Sequence, residues 1–286
     1  MPRIAYVNGR YLPHRDAAVH IEDRGYQFAD GVYEVCEVAH GNLMDATRHL
    51  DRLDRSLREL RIGWPMHRSA LVMVMREVVT RNRVRSGLVY AQVTRGVASR
   101  DFVFPENVAP SLVVTAKKVD PGSAARRAET GIKVITLPEN RWERVDIKSV
   151  GLLPNVLAKQ SAKEAGAQEA WFVDTDGNVK EGGSSNAWIV TKDGRLVTRP
   201  AEFGILRGIT RTTLFDVAEK LGLTIEERGF SVAEAKAARE AFISSATTIA
   251  MPVVEIDGTP VANGYPGSVV QSLRQAFFDV AEKTPA

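Results

Sequence analysis

The spacing of hydrophobic and polar positions changes period several times along the chain, and each change marks an element. Apolar and polar residues alternate on both sides of Asn8-Gly9, the strongest short-range signal for a two-residue β-hairpin. Gly31–Ala39 (GVYEVCEVA) alternates at period two, as a half-buried strand does. From Thr47 to Ile62 the period lengthens: Leu50, Leu53, Leu57 and Leu60 recur every three or four positions among arginines and acids, which predicts an amphipathic helix. A second helix is expected over Ser69–Arg83, then strands over Leu88–Thr94 and Ser111–Lys117.

Val119–Arg127 (VDPGSAARR) breaks these periods with proline, glycine and small residues and reads as a linker. Beyond it the pattern predicts a strand near Ile132–Leu137, a helix over Asn155–Ala165 and a strand over Ala170–Asp174. Turns at Asp176-Gly177 and Asp193-Gly194 punctuate a strand meander. Thr210 is the expected N-cap of a helix that runs to Leu221 and closes at Gly222. A strand at Phe242–Ser244 and a helix over Ser268–Glu282 follow. The expected organisation is an N-terminal α+β domain (1–118), a linker (119–127) and a larger C-terminal domain (128–286), with no repeat at solenoid periods.

Composition narrows the class. A chain of 286 residues has room for one large or two modest domains, and 44% hydrophobic with 26% charged residues suits a folded soluble protein. The pI near 9.0 rests on 38 basic against 35 acidic residues, interspersed rather than gathered in a stripe, so nucleic-acid binding is not indicated. The nearest basic cluster, Arg81, Arg83 and Arg85, falls at a helix end, where cations complement the dipole. The single cysteine, Cys36, excludes an internal disulfide framework and is expected to be a buried strand thiol in a reducing compartment. Met1–Arg10 reaches its Asn-Gly turn before any apolar signal core. The longest aliphatic-rich stretch, around Leu71–Met75, is far short of the roughly 18 to 20 residues that span a bilayer. The expectation is a cytoplasmic protein.

Several catalytic signatures are missing: a Gly-x-Ser-x-Gly elbow, a Walker loop, Gly-x-Gly-x-x-Gly and paired cysteines. His14, His20, His40, His49 and His67 show no ligand spacing and read as surface or supporting groups, so no metal site is expected. What remains are two small-residue turns, Leu206–Arg211 and Ser244–Thr248, able to hold an anion; the first also reads as an ordinary helix cap. Lys148 alternates with apolar Val145, Ile147 and Val150, and burial of a lysine favours the neutral amine that Schiff-base chemistry requires. Glu181 closes a strand before Gly-Gly-Ser-Ser-Asn186 and reads equally as a turn carboxylate.

Taken in order, Glu22–Val35 (EDRGYQFADGVYEV), His49–Leu53 (HLDRL), Gln92–Gly96 (QVTRG), Asp146–Ser149 (DIKS), Leu157–Gln160 (LAKQ), Glu181–Asn186 (EGGSSN) and Gly208–Arg211 (GITR) span nearly the whole chain. This series resembles the fold-type IV pyridoxal-phosphate enzymes, and within them the bacterial D-amino-acid aminotransferases. The resemblance implies a two-domain α+β fold, a small α/β sandwich beside a larger, mixed, β-barrel-like domain with flanking helices. It implies Lys148 as Schiff-base lysine and proton carrier, and Glu181 at the pyridine nitrogen. Arg52, Ile209, Thr210, Ser185, Ala246 and Thr247 are implied around the cofactor, with Leu206 against its ring. Tyr33, Tyr90, Arg100 and Phe102 fall on the substrate side. The implied partners are an amino donor and a 2-oxo acid acceptor such as 2-oxoglutarate or pyruvate, in a homodimer.

Two positions depart from the family pattern. Phe102 stands in Ser99-Arg-Asp-Phe102 where D-amino-acid enzymes carry a carboxylate-binding histidine, so one donor is lost and an apolar wall gained. Ala246 stands where a phosphate-binding threonine is common. The site is therefore either a repacked D-amino-acid site, favoured by the retained Arg100, or one adapted to hydrophobic (R)-amines. Branched-chain L-amino-acid aminotransferases and aminodeoxychorismate lyases share the fold. From another class, a pyridoxal-phosphate carrier or a nucleic-acid binder would need no catalytic lysine.

Overall fold

The structure, a computed structural model, describes residues 3–202 and 204–286. Met1 and Pro2, the start of the segment read for a signal core, lie outside them. In chain order the elements are β1 (Ile4–Val7), β2 (Arg10–Pro13), α1 (Arg24–Phe28), β3 (Gly31–Ala39), β4 (Asn42–Met44), α2 (Ala46–Glu59), α3 (Arg68–Arg81), β5 (Gly87–Thr94) and β6 (Ser111–Lys118). Then come α4 (Pro121–Thr130), β7 (Ile132–Pro138), α5 (Leu153–Glu164), β8 (Glu169–Val173), β9 (Val179–Gly182), β10 (Asn186–Val190), β11 (Leu196–Thr198) and α6 (Ile209–Lys220). The chain ends through β12 (Ile225–Glu227), α7 (Val232–Ala237), β13 (Glu240–Ser245), β14 (Ile249–Ile256), β15 (Thr259–Pro260), α8 (Ser268–Val280) and β16 (Lys283–Pro285).

These elements form two compact units. One comprises Met1–Pro121, Ile147–Gly151 and Glu282–Ala286; the other comprises Gly122–Asp146 and Leu152–Ala281. The expected linker is mostly helix: α4 begins at Pro121, where a proline at the first helical position sacrifices no hydrogen bond, and Ala124 and Ala125 favour its continuation.

Among the described residues, the first unit holds a seven-stranded antiparallel sheet, β16-β4-β3-β5-β6-β1-β2. The hairpin pairs Val7 with Arg10 around Asn8 and Gly9, both at positive φ (44° and 93°), as a primed two-residue turn requires. Leu50, Leu53 and Leu57 of α2 and Leu71, Met75 and Val78 of α3 bury against Val32, Val89 and Val114 of the sheet. Cys36 is buried beside them, and burial pushes its thiol up. The last helix stops at Val280 rather than Glu282, because Lys283–Pro285 pairs with β4. Asp45 N donates to Glu282 O at 2.9 Å, Glu282 N donates to Asp45 Oδ1 at 3.0 Å, and the Glu282 carboxylate accepts from the Thr47 hydroxyl at 2.8 Å.

Among the described residues, the second unit holds a nine-stranded mixed sheet, parallel at β11-β12, β14-β7 and β7-β8 and antiparallel elsewhere. Its core gathers Trp171, Ile189, Phe230 and Met251, and Ala158 and Ala162 of α5 close over Phe172. No described helix is long and apolar enough to cross a membrane.

Candidate active site

Lys148 lies on a short extended segment docked antiparallel on β3. Val32 and Ser149 form a bridge; Tyr33 N donates to Lys148 O at 3.0 Å and Val150 N to Gly31 O at 3.0 Å. From the other side, Lys148 N donates to Ser56 Oγ at 3.3 Å. Ile147 enters the core, whereas Lys148 is half-buried. Its Nζ stands 4.3 Å from the centroid of the Tyr33 ring. Tyr33 stacks on Tyr90 at 5.4 Å, and Tyr90 Oη donates to Gln92 Oε1 at 2.6 Å. Burial, with Tyr33 beside it, raises the Tyr90 phenol above its ordinary range.

On β3 the next residue, Glu34, faces the other way, as period two dictates. It meets α2, whose His49, Arg52 and Ser56 fall at helical spacing. Arg52 grips Glu34 with Nε and Nη2, both at 2.7 Å, and His49 Nδ1 lies 2.7 Å from Glu34 Oε2. Burial alone would raise the Glu34 carboxyl, but the Arg52 charge and the hydrogen bonds from Arg52 and His49 outweigh it and hold the pKa at about 2. Desolvation lowers His49, which is buried as a support of Glu34 rather than placed at the surface.

The loop carrying Arg100 and Phe102 is tied down from α1. Buried Arg24 donates through Nε to Asp30 at 2.8 Å and through Nη1 to Asp101 O at 2.5 Å. Arg95 chelates Asp30 at 2.7 and 2.9 Å. The Phe28 ring lies 4.8 Å from the Arg24 guanidinium, 4.5 Å from that of Arg100 and 5.5 Å from the Phe102 ring, which is 83% exposed.

In the second unit Glu181 is buried at the end of β9. Oε1 accepts from Arg141 Nη1 at 2.6 Å; Oε2 accepts from Asn186 Nδ2 and Leu206 N, each at 3.1 Å. Burial raises its carboxyl above the ordinary range, against the pull of Arg141. Arg141 also chelates Glu139, which its hydrogen bonds and charge hold at about 2 despite burial. Asn186 donates in addition to Leu206 O at 2.9 Å, fixing the approach to α6. A Cβ at Gly208 would come within 2.1 Å of Asn186 Oδ1, so only glycine fits. Gly208, and not Thr210, is the N-cap of α6; no side chain caps that end, and Ile209 and Thr210 are buried in its first turn. Ser185 Oγ donates to buried Glu169 at 3.0 Å.

Asn186 pairs in register with Ser244 on β13, which leads into the Ser245–Thr248 turn. Ser245 Oγ lies 3.1 Å from Thr247 Oγ1 and 2.9 Å from Thr248 Oγ1; Ala246 is half-buried and Thr247 exposed. Leu206 is half-buried just before α6.

Asn186 thus links Glu181, the α6 start and the strand before the second turn. The sequence pointed to none of Asn186, Arg141 and Glu34, and to His49 only as a surface or supporting group. Asn186, Glu34 and His49 stand inside the quoted motifs, and the three-residue step from His49 to Arg52 signals a shared helix face; Arg141 sits in an aperiodic loop and carries no signal.

In the second unit, Glu181 and the start of α6 fit pyridoxal phosphate. A carboxylate offers about four acceptor positions, and Glu181 uses three on protein donors, which leaves one for a protonated ring nitrogen. A helix start without a side-chain cap suits a phosphate.

Residues 31–256 match the family described as Amino-transferase class IV. D-alanine aminotransferase of Listeria monocytogenes is 39% identical over 274 residues, covering 96% of this chain and 94% of its own. The branched-chain amino acid aminotransferase of Escherichia coli shares the fold at a TM-score of 0.90 with 24% identity, over 98% of this chain and 95% of its own. A hypothetical aminotransferase from Mycobacterium tuberculosis, solved in a PLP-bound form, aligns at 0.83 with 25% identity, over 96% and 98%. This chain belongs to the class IV aminotransferases.

Proposed function

We propose that the chain is a pyridoxal-phosphate-dependent transaminase that moves the amino group of a D-amino acid such as D-alanine to 2-oxoglutarate or pyruvate. The observation that carries this reading is the 39% identity to a D-alanine aminotransferase across 96% of the chain. When bound, the cofactor supplies an aldehyde that takes up amines and a ring that accepts electrons.

Lys148 is the attachment point and, once released, the base that takes the proton from the substrate Cα. The Tyr33 ring beneath its Nζ helps to hold the amine in place. Glu181, aimed by Arg141, Asn186 and Leu206 N, holds a proton at the ring nitrogen. In the second unit Thr210, the first-turn amides of α6, Thr247 and the backbone at Ala246 would hold the phosphate, Leu206 would face the ring and Ser185 would border it; in the first unit the phosphate ligand is Arg52. Arg100 clamps the substrate carboxylate, with Tyr33 and Tyr90 lining its path.

A second reading, (R)-amine transamination, is favoured by Phe102, an exposed aromatic in place of a carboxylate donor. Cofactor absorbance followed against a panel of D- and L-amino acids and (R)-1-phenylethylamine separates the two. The proposal expects bleaching by D-alanine and formation of glutamate from 2-oxoglutarate. Faster turnover of the amine transfers the assignment to the second reading, and pyruvate release without an acceptor makes the protein a lyase.

The same reading includes a cytoplasmic homodimer. Leu153, Val156 and Leu157 on α5 are exposed at helical spacing, an apolar stripe of the kind a second copy covers. The lone buried Cys36 suits a reducing compartment. Light scattering of Leu157→Glu should show monomer; an unchanged dimer removes α5 from the interface.

A further inference from the structure

We propose that Arg274 on α8 is a positioning residue for the cofactor phosphate, acting through the Ser245–Thr248 turn; this rests on the assignment of that turn to the phosphate. Ile249, which follows the turn, has φ +58°, a left-handed conformation in which a β-branched side chain clashes with its own backbone. Such a residue persists only where its surroundings over-determine it. Arg274 Nη1 donates to Thr248 O at 2.5 Å and to Ala250 O at 2.7 Å, the carbonyls on either side of Ile249. One guanidinium nitrogen therefore ties the carbonyls of the residues before and after the strained one.

The turn so held carries three hydroxyls, with Ser245 Oγ in contact with those of both Thr247 and Thr248. α8 packs on α6 as well as on β13 and β14, so the helix that carries Arg274 braces both phosphate-binding pieces. Both bonds leave from Nη1, and the rigid guanidinium plane fixes the direction of that nitrogen's two N–H groups, which a lysine's rotating ammonium does not. The consequence is specific: Arg274 sets affinity for the phosphate end of the cofactor and not for the ring end.

The test measures equilibrium dissociation constants of cofactor-stripped protein for pyridoxal phosphate and for pyridoxal, which lacks the phosphate. Arg274→Met should weaken pyridoxal phosphate about tenfold or more and leave pyridoxal within twofold, with Arg274→Lys intermediate; should the methionine variant not fold, the lysine variant carries the comparison. Unchanged pyridoxal phosphate binding, or equal weakening of both ligands, overturns the inference. Thr210→Val and Thr247→Ala serve as reference variants. If they lower the preference for pyridoxal phosphate and Arg274→Met does not, the inference alone fails; if the preference survives both, the phosphate placement fails and the inference with it.

Discussion

The Lys148 amine lies over the face of Tyr33, 4.3 Å from the ring centroid. An ammonium over an aromatic face gains about 0.5 to 2 kcal/mol, depending on desolvation, so the ring and the hydroxyl of Tyr33 do separable work. Tyr33→Phe keeps the ring and should hold kcat within about twofold while raising KM for D-alanine. Tyr33→Leu removes the ring and should lower kcat roughly tenfold, since about 1.4 kcal/mol is a factor of ten. Equal kcat for the two variants would show that the ring contributes nothing.

Glu181→Gln preserves size and burial but puts an uncharged amide against Arg141. It should keep the fold and lower the rate of Cα deprotonation by about two orders of magnitude, because a neutral side chain cannot hold the ring nitrogen protonated. A primary isotope effect with Cα-deuterated D-alanine, larger than in the parent enzyme, locates the defect at that step. A variant as fast as the parent would remove Glu181 from the ring nitrogen.

Glu34 makes a prediction about stability. Its folded pKa, about 2 against an ordinary 4.5, is depressed, so the unfolded chain binds the proton more tightly. The stabilisation is present in full above about pH 4.5 and is lost as pH falls toward 2, on the order of 3 kcal/mol in all. His49, also depressed, acts in the same direction below its ordinary range near 6.5. Denaturant unfolding of parent and Glu34→Gln should diverge most at neutral pH and converge near pH 2 to 3; a gap independent of pH contradicts the network.

Much of this was legible in advance, for reasons that differ by element. β3 matches its expected bounds because period two holds from Val32 to Val38, and the Asn8-Gly9 hairpin formed because few other dipeptides accept positive φ twice. Other elements departed from their local reading. Val119–Arg127 looks like a linker but is mostly helix, and Glu282 leaves the last helix because Asp45 and Thr47, far away in sequence, recruit it. Thr210 resembles a cap, yet the close approach of Asn186 places Gly208 at that position. The Arg141 contact to Glu181 spans forty residues and has no periodic signature.

On the proposed function, substrate choice turns on the loop that Arg24 and Phe28 hold. Phe102→His adds a carboxylate donor and should lower KM for D-alanine several-fold while slowing (R)-1-phenylethylamine. Arg24→Lys keeps charge but loses the fork that spans Asp30 and Asp101 O; it should raise KM for D-alanine with little change in kcat or in amine turnover. Parallel losses on both substrates would place the defect elsewhere.

The most direct measurement is borohydride reduction of the cofactor-loaded protein followed by peptide mapping. A stable pyridoxyl group on the peptide containing Lys148 is the predicted result. A pyridoxyl group on any other lysine, or none, would contradict the assignment of Lys148.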